Sequence, residues 1–323
     1  MTAPLPCPRL PPKPVALSVV VPLFNEVETL AELALRLKRA LDAIEESYEV
    51  LLVDDGSSDG TSDGIRRVCE SDGCFIGLHL SRNFGHQMAV SAGLELARGD
   101  AVAVIDGDLQ DPPEILGEMH ARLANEVDVV YAVRRERKEG LLKRAAYHGF
   151  YRILRGLARI PIPLDSGDCC VMTRRVVDII KAFPERHRFV RGLRAYAGFR
   201  QVAFEYSRDA RFAGRTKYTF GRLLALAADG VFTFSERPLR LATAIGLVVA
   251  LASLSYGVYL VVWRFVHGGE LPGFATLAAG MFFLGGVQLL CIGILGEYVG
   301  RIHNEVKGRP PFIIGSISRR ADD

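Results

Sequence analysis

Two long uncharged runs constrain this chain more than any other feature. Residues 241–263 and 271–296 contain no Asp, Glu, Lys or Arg. A helix needs about 20 apolar residues to cross the hydrocarbon core of a bilayer, and each run is long enough. Residues 264–270 form the short link between them, so the pair reads as a two-helix transmembrane hairpin. Arg237 and Arg240 precede it, Arg301, Lys307 and Arg309 follow it, and Arg264 lies in the link. That asymmetry predicts that both flanks stay in the cytoplasm. A buried hairpin inside a soluble protein is the alternative reading.

The rest of the chain is organised differently. Residues 1–14 are proline-rich, lack the apolar core of a signal peptide and read as a disordered lead. From residue 15 to 206, short β-branched runs alternate with amphipathic stretches. Strands are expected at 16–22, 48–54, 75–80, 101–105 and 127–133, and helices at 28–44, 61–69, 87–97 and 113–125. This alternation predicts an α/β domain with a mostly parallel, doubly wound sheet. Residues 207–240 are basic and amphipathic, carrying Arg208, Arg211, Arg215, Lys217 and Arg222. They suit a membrane interface or an ordinary surface helix equally well. Residues 297–323 read as a cytoplasmic tail.

Net charge is +3 over 323 residues, which gives no support to nucleic-acid binding through bulk charge. The six cysteines form no Cys-x-x-Cys pair and no zinc-spaced set, so no disulfide framework is expected. Cys169 and Cys170 read as small core residues.

Open α/β sheets bind ligands beyond the carboxyl ends of their strands. Four consecutive strand ends here are loaded with polar residues: Pro22-Leu23-Phe24-Asn25-Glu26, Asp54-Asp55-Gly56-Ser57, Ser81-Arg82-Asn83-Phe84-Gly85-His86 and Asp106-Gly107-Asp108-Leu109-Gln110-Asp111. Helix capping explains one such end, and Asp59 or Ser57 serves that purpose, but it does not explain four together. No glycine-rich dinucleotide or phosphate loop is present. If a nucleotide binds, its phosphates need another partner. Asp106 and Asp108, one residue apart, supply it through a divalent cation, and oxygen ligands with a diphosphate suit Mg²⁺ or Mn²⁺. Asp54 and Asp55 suit a base or ribose, since their charge opposes phosphate.

The order of these segments resembles the inverting glycosyltransferases of family two, which have the GT-A fold. Asp165-Ser166-Gly167-Asp168, Glu185-Arg186-His187-Arg188-Phe189, Gly214-Arg215-Thr216-Lys217-Tyr218 and Leu295-Gly296-Glu297-Tyr298-Val299-Gly300-Arg301 are similar to its polyisoprenyl-phosphate branch. The resemblance is closest to bactoprenol glucosyltransferases and extends to dolichol-phosphate mannose synthases. It implies transfer of a sugar, glucose from UDP-glucose above all, to undecaprenyl or another polyprenyl phosphate, at a bacterial plasma (inner) membrane.

Residue by residue, the resemblance implies a nucleotide pocket of Pro22, Leu23, Asn25, Glu26, Asp54, Asp55, Arg82, Asp106 and Gly107. It implies Asp106, Asp108 and Gln110 at the metal. Arg211, Arg215 and Lys217 would meet phosphate, of acceptor or donor, and Asp168 would be the nominal base, with Asp165 as the other candidate. Cys169 stands where the family often has an aromatic residue. The related transferases also imply a homo-oligomer, a tetramer among the options. Three rival readings differ in what they require of the sequence. A processive polysaccharide synthase would need more membrane helices and a Gln-x-x-Arg-Trp-type segment, whereas the single Trp, Trp263, lies in an apolar run. A GDP-mannose or aminosugar donor would change the reaction's substrate. A non-catalytic assembly protein would not need Asp106, Asp108 and Lys217.

Overall fold

The computed structural model describes residues 14–123, 126–134, 166–185, 188–206, 237–267 and 273–320. The expected interfacial region lies almost wholly outside them, as does nearly all of the proline-rich lead. Two compact units are present, one made of residues 1–151, 160–217 and 309–323 and the other of 152–159 and 218–308.

The larger unit is an eight-stranded mixed sheet. Its strands are β1 (Leu17–Leu23), β2 (Tyr48–Asp54), β3 (Phe75–Leu80), β4 (Ala101–Val104), β5 (Val129–Arg134), β6 (Ser166–Thr173), β7 (Gln201–Tyr206) and β8 (Ile314–Ser318). Their order across the sheet is β7-β5-β6-β4-β1-β2-β3-β8. The pairs β1–β2, β1–β4, β2–β3 and β5–β7 are parallel. The pairs β4–β6, β5–β6 and β3–β8 are antiparallel. The first five strands match the expected segments to within two residues at either end. β6, β7 and β8 add to the expected strands, and the antiparallel pairs made by β6 and β8 turn the sheet mixed.

Both faces of the sheet are covered, which explains the continuous apolar runs. On one face Val19 and Val21 pack with Leu30, Leu33, Leu37 and Leu41 of α1 (Val27–Asp42), and with Ile65 of α2 (Thr61–Ser71) and Met119 of α4 (Ile115–Ala121). On the other, Val20, Leu51 and Val53 pack with Val90 and Leu94 of α3 (His86–Leu96). Val177 and Ile180 of α5 (Arg174–Ala182) and Leu193 of α6 (Val190–Ala197) complete that face. The alternation of Val19, Val20 and Val21 between faces is the strand period of two. Leu30, Leu33, Leu37 and Leu41 repeat at helical spacing, so one stripe of α1 is buried and the rest is free to be polar. Each fully buried Leu contributes about 1.5–3 kcal/mol by leaving water. Cys169 and Cys170 are buried in β6.

At the amino ends of the strands, away from the polar loops, Glu49 is buried and clamped. Arg98 donates to its Oε2 from Nε at 2.8 Å, and Ser18 donates to its Oε1 at 2.6 Å. This ties β1, β2 and the approach to β4 together by charge-assisted bonds.

The smaller unit contains α7 (Arg237–His267) and α8 (Phe274–Val306), which pack on each other. The thiol Sγ of Cys291 lies 3.7 Å from the carbonyl of Ala242. Each helix holds a span apolar and long enough to cross a membrane, residues 239–260 and 283–306. Only 6% of the first window and none of the second is buried in the protein. A soluble core helix is mostly covered, whereas these two spans are largely uncovered in this chain. The stretch after the second apolar run is not a separate tail. α8 continues through Glu297 and Arg301, which pair at 2.9 Å one turn apart, and residues 314–318 return to the sheet as β8.

Candidate active site

The strand order reverses direction about β1, whose neighbours are β4 on one side and β2 on the other. The crevice at such a switch point is the usual ligand site of an open α/β sheet. The loops after β1, β2, β3 and β4 meet there, held in place by bonds that begin with the turn residues themselves.

Asn25 takes a left-handed conformation (φ 54°), tolerated by a short amide side chain. Its backbone N–H donates to Ser57 Oγ at 3.0 Å and its Oδ1 accepts from the N–H of Ser58 at 2.9 Å. Glu26 donates its N–H to Thr61 Oγ1 at 3.0 Å. Asp59 accepts from the N–H of Thr61 at 3.0 Å and of Val27 at 3.2 Å, capping the starts of α2 and α1 together. The first two loops are thus one hydrogen-bonded unit. Pro22 and Leu23 close β1, and Leu23 is buried. Gly107 lies across from them, its carbonyl accepting from Thr29 Oγ1 at 3.3 Å.

The second and third loops are locked more tightly. Gly56 has φ +68°, and a Cβ there would come within 2.5 Å of the Arg82 carbonyl carbon and 2.6 Å of Asn83 N. Only glycine permits that approach. Asp55 is buried and accepts the N–H groups of Phe84 at 2.7 Å and Gly85 at 2.9 Å. Burial raises its pKa, and those two bonds oppose the rise. Asp54 is also buried, accepting from Ser57 N–H at 2.9 Å, from the Ser62 hydroxyl, and facing His79 Nδ1 at 3.2 Å. Burial pushes its pKa up, but the bonds from His79, Ser62 and Ser57 outweigh it and hold the carboxyl at about 2. Both carboxylates therefore shape the loops from inside. The guanidinium of Arg82 lies over the Phe84 ring at 4.2 Å.

Locking the third loop fixes the start of α3, and that places His86. Its Nε2 lies 3.3 Å from Asp168 Oδ2 and 3.6 Å from Asp106 Oδ1. Antiparallel pairing supplies Asp168: the β4–β6 register sets Val104 against Cys170, so two residues on Asp106 comes opposite Asp168. One donor atom from each of His86, Asp106 and Asp168 falls within 4.8 Å of the others. Asp168 is held further by Arg191 Nη2 on Oδ1 at 3.1 Å and by Gln87 Nε2 on Oδ2 at 3.3 Å. Gln87 Oε1 accepts from Val190 N–H at 2.9 Å, tying α3 to the start of α6.

The charges are unevenly satisfied. Burial favours neutral Asp168, yet the bond from His86 and the charge of Arg191 hold its carboxyl well below the usual range. Asp106 is pushed the other way, up to about 7, first by burial and then by Asp168, Asp111 and Asp108, although His86 opposes the rise. Its Oδ1 is buried without a hydrogen-bond partner among the described residues. Asp108 Oδ1 accepts from Gln110 N–H at 3.1 Å. Leu109 between them is left-handed (φ 58°), bending the backbone, and Gln110 and Asp111 are buried. Asp111 accepts from the Tyr206 hydroxyl. An oxygen-rich cluster with one under-compensated buried carboxylate oxygen is a fit for a hard divalent cation.

Of the expected site residues, the structure brings Asp106 and Asp168 together and keeps Asp108 and Gln110 on the adjoining turn. Asp165, Arg211, Arg215 and Lys217 lie outside the described residues. His86, Gln87 and Arg191 join the expected residues in the site. His86 was visible at the third strand end. Arg191 carried no signal, because its place depends on how α6 packs.

A mostly parallel mixed sheet with acidic loops at one end defines a GT-A-like glycosyltransferase domain. The sequence matches glycosyl transferase family 2 over residues 18–180 and the GtrB C-terminal hairpin over residues 237–302. It is 40% identical to an uncharacterized glycosyltransferase, sll0501, of Synechocystis, covering 94% of this chain and 96% of that one. It is 39% identical to the SfII prophage-derived bactoprenol glucosyl transferase of Shigella flexneri, covering 92% of this chain and 97% of that one. Among solved structures, the mannosyltransferase PcManGT from Pyrobaculum calidifontis, in complex with GDP-Man and Mn²⁺, is 19% identical. It covers 89% of this chain and 88% of that one with a TM-score of 0.47, too distant to bear on the site. The chain belongs to glycosyl transferase family 2, and it is a glycosyltransferase.

Proposed function

We propose that this enzyme transfers a sugar, glucose from UDP-glucose in the first instance, to a polyprenyl phosphate at the cytoplasmic face of a bacterial membrane. The observation that carries this is the meeting of Asp106, Asp168 and His86 at the sheet's switch point, in a chain 39% identical over nearly its whole length to a bactoprenol glucosyl transferase.

In this reading the loops after β1 and β2, with Asn25 and Glu26, border the nucleoside, and Asp55 holds the second loop against the third from inside. Asp106 and Asp108, with Gln110 beside them, would hold Mg²⁺ or Mn²⁺. That cation, when bound, offsets the charge developing on the departing nucleoside diphosphate. The acceptor is a phosphate monoester, whose second pKa is about 6, so it arrives largely ionised. It attacks the anomeric carbon as the nucleoside diphosphate leaves, and one displacement inverts that carbon. Little proton removal is required, so positioning and charge compensation carry the rate. Asp168 suits an organising role better than that of a base, because Arg191, Gln87 and His86 all engage its carboxylate. Arg211, Arg215 and Lys217 are proposed to meet the acceptor phosphate.

Two further observations support a membrane setting. The apolar surfaces of α7 and α8 are uncovered, and β8 belongs to the same sheet as β1. In this reading the chain crosses twice and comes back to the side it left. With Arg237, Arg240, Lys307 and Arg309 on the flanks, that side is the cytoplasm. A membrane-held enzyme meets an insoluble polyprenyl tail by diffusion in two dimensions. A homo-oligomer is part of the proposal.

The test is direct. The full chain in lipid nanodiscs is incubated with undecaprenyl phosphate, Mg²⁺ or Mn²⁺, and each of a panel of UDP- and GDP-sugars, and the lipid fraction is weighed by mass spectrometry. Formation of undecaprenyl phosphate carrying one hexose from UDP-glucose is expected. Transfer only from another donor would replace the sugar assignment, and transfer only to a non-lipid acceptor would overturn the reading.

A further inference from the structure

The C-terminal strand reaches the nucleotide-side loops through a chain of polar contacts. β8 lies antiparallel to β3, with Ser318 opposite Gly77 and Ile317 opposite Leu78. Ser318 Oγ is 2.9 Å from Nε2 of His79, and Nδ1 of the same ring is 3.2 Å from Asp54 Oδ2. Asp54 in turn takes the Ser57 N–H at 2.9 Å and the Ser62 hydroxyl. Ser57 Oγ takes the N–H of Asn25 at 3.0 Å. Four residues, Ser318, His79, Asp54 and Ser57, thus link the last strand to the backbone of Asn25 in the turn that closes β1.

The ring chemistry gives this chain a direction. A carboxylate is acceptor-only, so the nitrogen facing Asp54 must carry the proton. In the neutral ring, Nε2 is then an acceptor, and its partner must donate. Ser318, with a rotatable O–H, can do so. Its hydroxyl selects the tautomer that serves Asp54. Gly77 makes room for this meeting: a Cβ there would stand 3.2 Å from His79 Nε2 and 3.3 Å from Ser318 Cβ. His79 is buried, so water does not readily take over the part of Ser318.

We propose that Ser318 is a positioning residue for donor binding, acting through His79 and Asp54 on the loop of residues 55–60. This rests on the reading that the loop borders the nucleotide. Only residues 307–313 separate α8 from β8, so the strand that sets this loop is joined closely in sequence to the membrane hairpin. The second apolar helix is thereby followed at once by a segment the nucleotide site requires.

The experiment compares the full chain in nanodiscs with Ser318→Ala and Ser318→Thr. Hydrogen exchange of the peptide spanning residues 55–62 is read first, then UDP affinity with Mn²⁺, then donor KM and kcat. Loss of one hydrogen bond corresponds to about a threefold to tenfold change. Ser318→Ala is expected to speed exchange in that loop and raise donor KM by about that factor, with kcat within about twofold. Ser318→Thr, which keeps the hydroxyl, is expected to stay near wild type. Unchanged loop exchange in Ser318→Ala would overturn the proposal, as would an equal rise in exchange across β1 and β4, which would mean general loosening. Equal impairment in Ser318→Thr would overturn it too. If the wild type binds no UDP at all, the donor reading falls, and the exchange measurement still decides whether Ser318 sets the loop.

Discussion

His86 Nε2 stands 3.3 Å from Asp168 Oδ2 and 3.6 Å from Asp106 Oδ1, so one imidazole faces two carboxylates, one in β6 and one just past the end of β4. Burial works against a charged ring, but the bond to Asp168 and the charges of Asp106, Asp168 and Asp55 raise its pKa above the usual value. The ring links the two acids, and the consequences of removing either acid differ.

Asp168→Asn is expected to lose less turnover than Asp106→Asn or Asp108→Asn. Asp168 is already compensated by Arg191, Gln87 and His86, and an anionic acceptor needs no strong base. Steady-state turnover of the four purified proteins decides it. Equal or greater loss in Asp168→Asn would restore Asp168 as the base.

Removing divalent cations with a chelator is expected to abolish transfer, and adding back Mg²⁺ or Mn²⁺ to restore it. Titration of Mn²⁺ into the protein with UDP should show weaker binding in Asp106→Asn, by about tenfold or more, since one carboxylate ligand is lost. Full transfer in the presence of excess chelator would remove the cation from the proposal.

Gly56→Ala is expected to be among the most damaging single substitutions in the larger unit. The new Cβ meets backbone atoms of Arg82 and Asn83, and the left-handed backbone disfavours it as well. Overpacking against backbone costs about 1–3 kcal/mol, and the third loop carries His86. Thermal denaturation should show a lowered midpoint, with donor binding weakened beyond what stability explains. A midpoint equal to wild type would contradict the tight loop contact.

Asp54→Asn is expected to destabilise the fold in a pH-dependent way. The folded pKa, about 2, lies below the ordinary 3.8, so the stabilisation is present above about pH 4 and is lost as pH falls through 2. The shift corresponds to roughly 2 kcal/mol at neutral pH. Unfolding followed at pH 7 and at pH 3 should show the gap between wild type and variant narrowing at the lower pH. A gap that stays constant, or widens on acidification, would show that the bonds from His79 and Ser62 do not favour the charged form.

The alternation of apolar runs made the first five strands and their helices readable, because a strand buried on both faces has a composition few other elements share. The two membrane-length helices were readable from length and charge alone. The last three strands were not. β6 begins Ser166-Gly167-Asp168, with no apolar run at its start, and β8 is a short Ile-Gly-Ser-Ile-Ser segment that resembles a tail. Both are edge or antiparallel additions whose partners lie far away in sequence, and pairing over such separations leaves little local trace.

The same division runs through the site. The sequence by itself determined that acidic and amide residues would crowd four strand ends, because strand ends recur at regular intervals along an α/β chain and the residues there could be counted. It also determined that the C-terminal helices would be long and apolar enough to span a bilayer. Tertiary structure alone decided that Asp168 joins Asp106, since β6 runs antiparallel to β4 and its register sets the two side by side. It also decided that Asp54 and Asp55 turn inward to hold loops, and that Ser318, from the far end of the chain, touches His79. A carboxylate's role depends on which donors surround it, and those donors arrive from strands and helices whose neighbours are fixed only when the sheet is assembled.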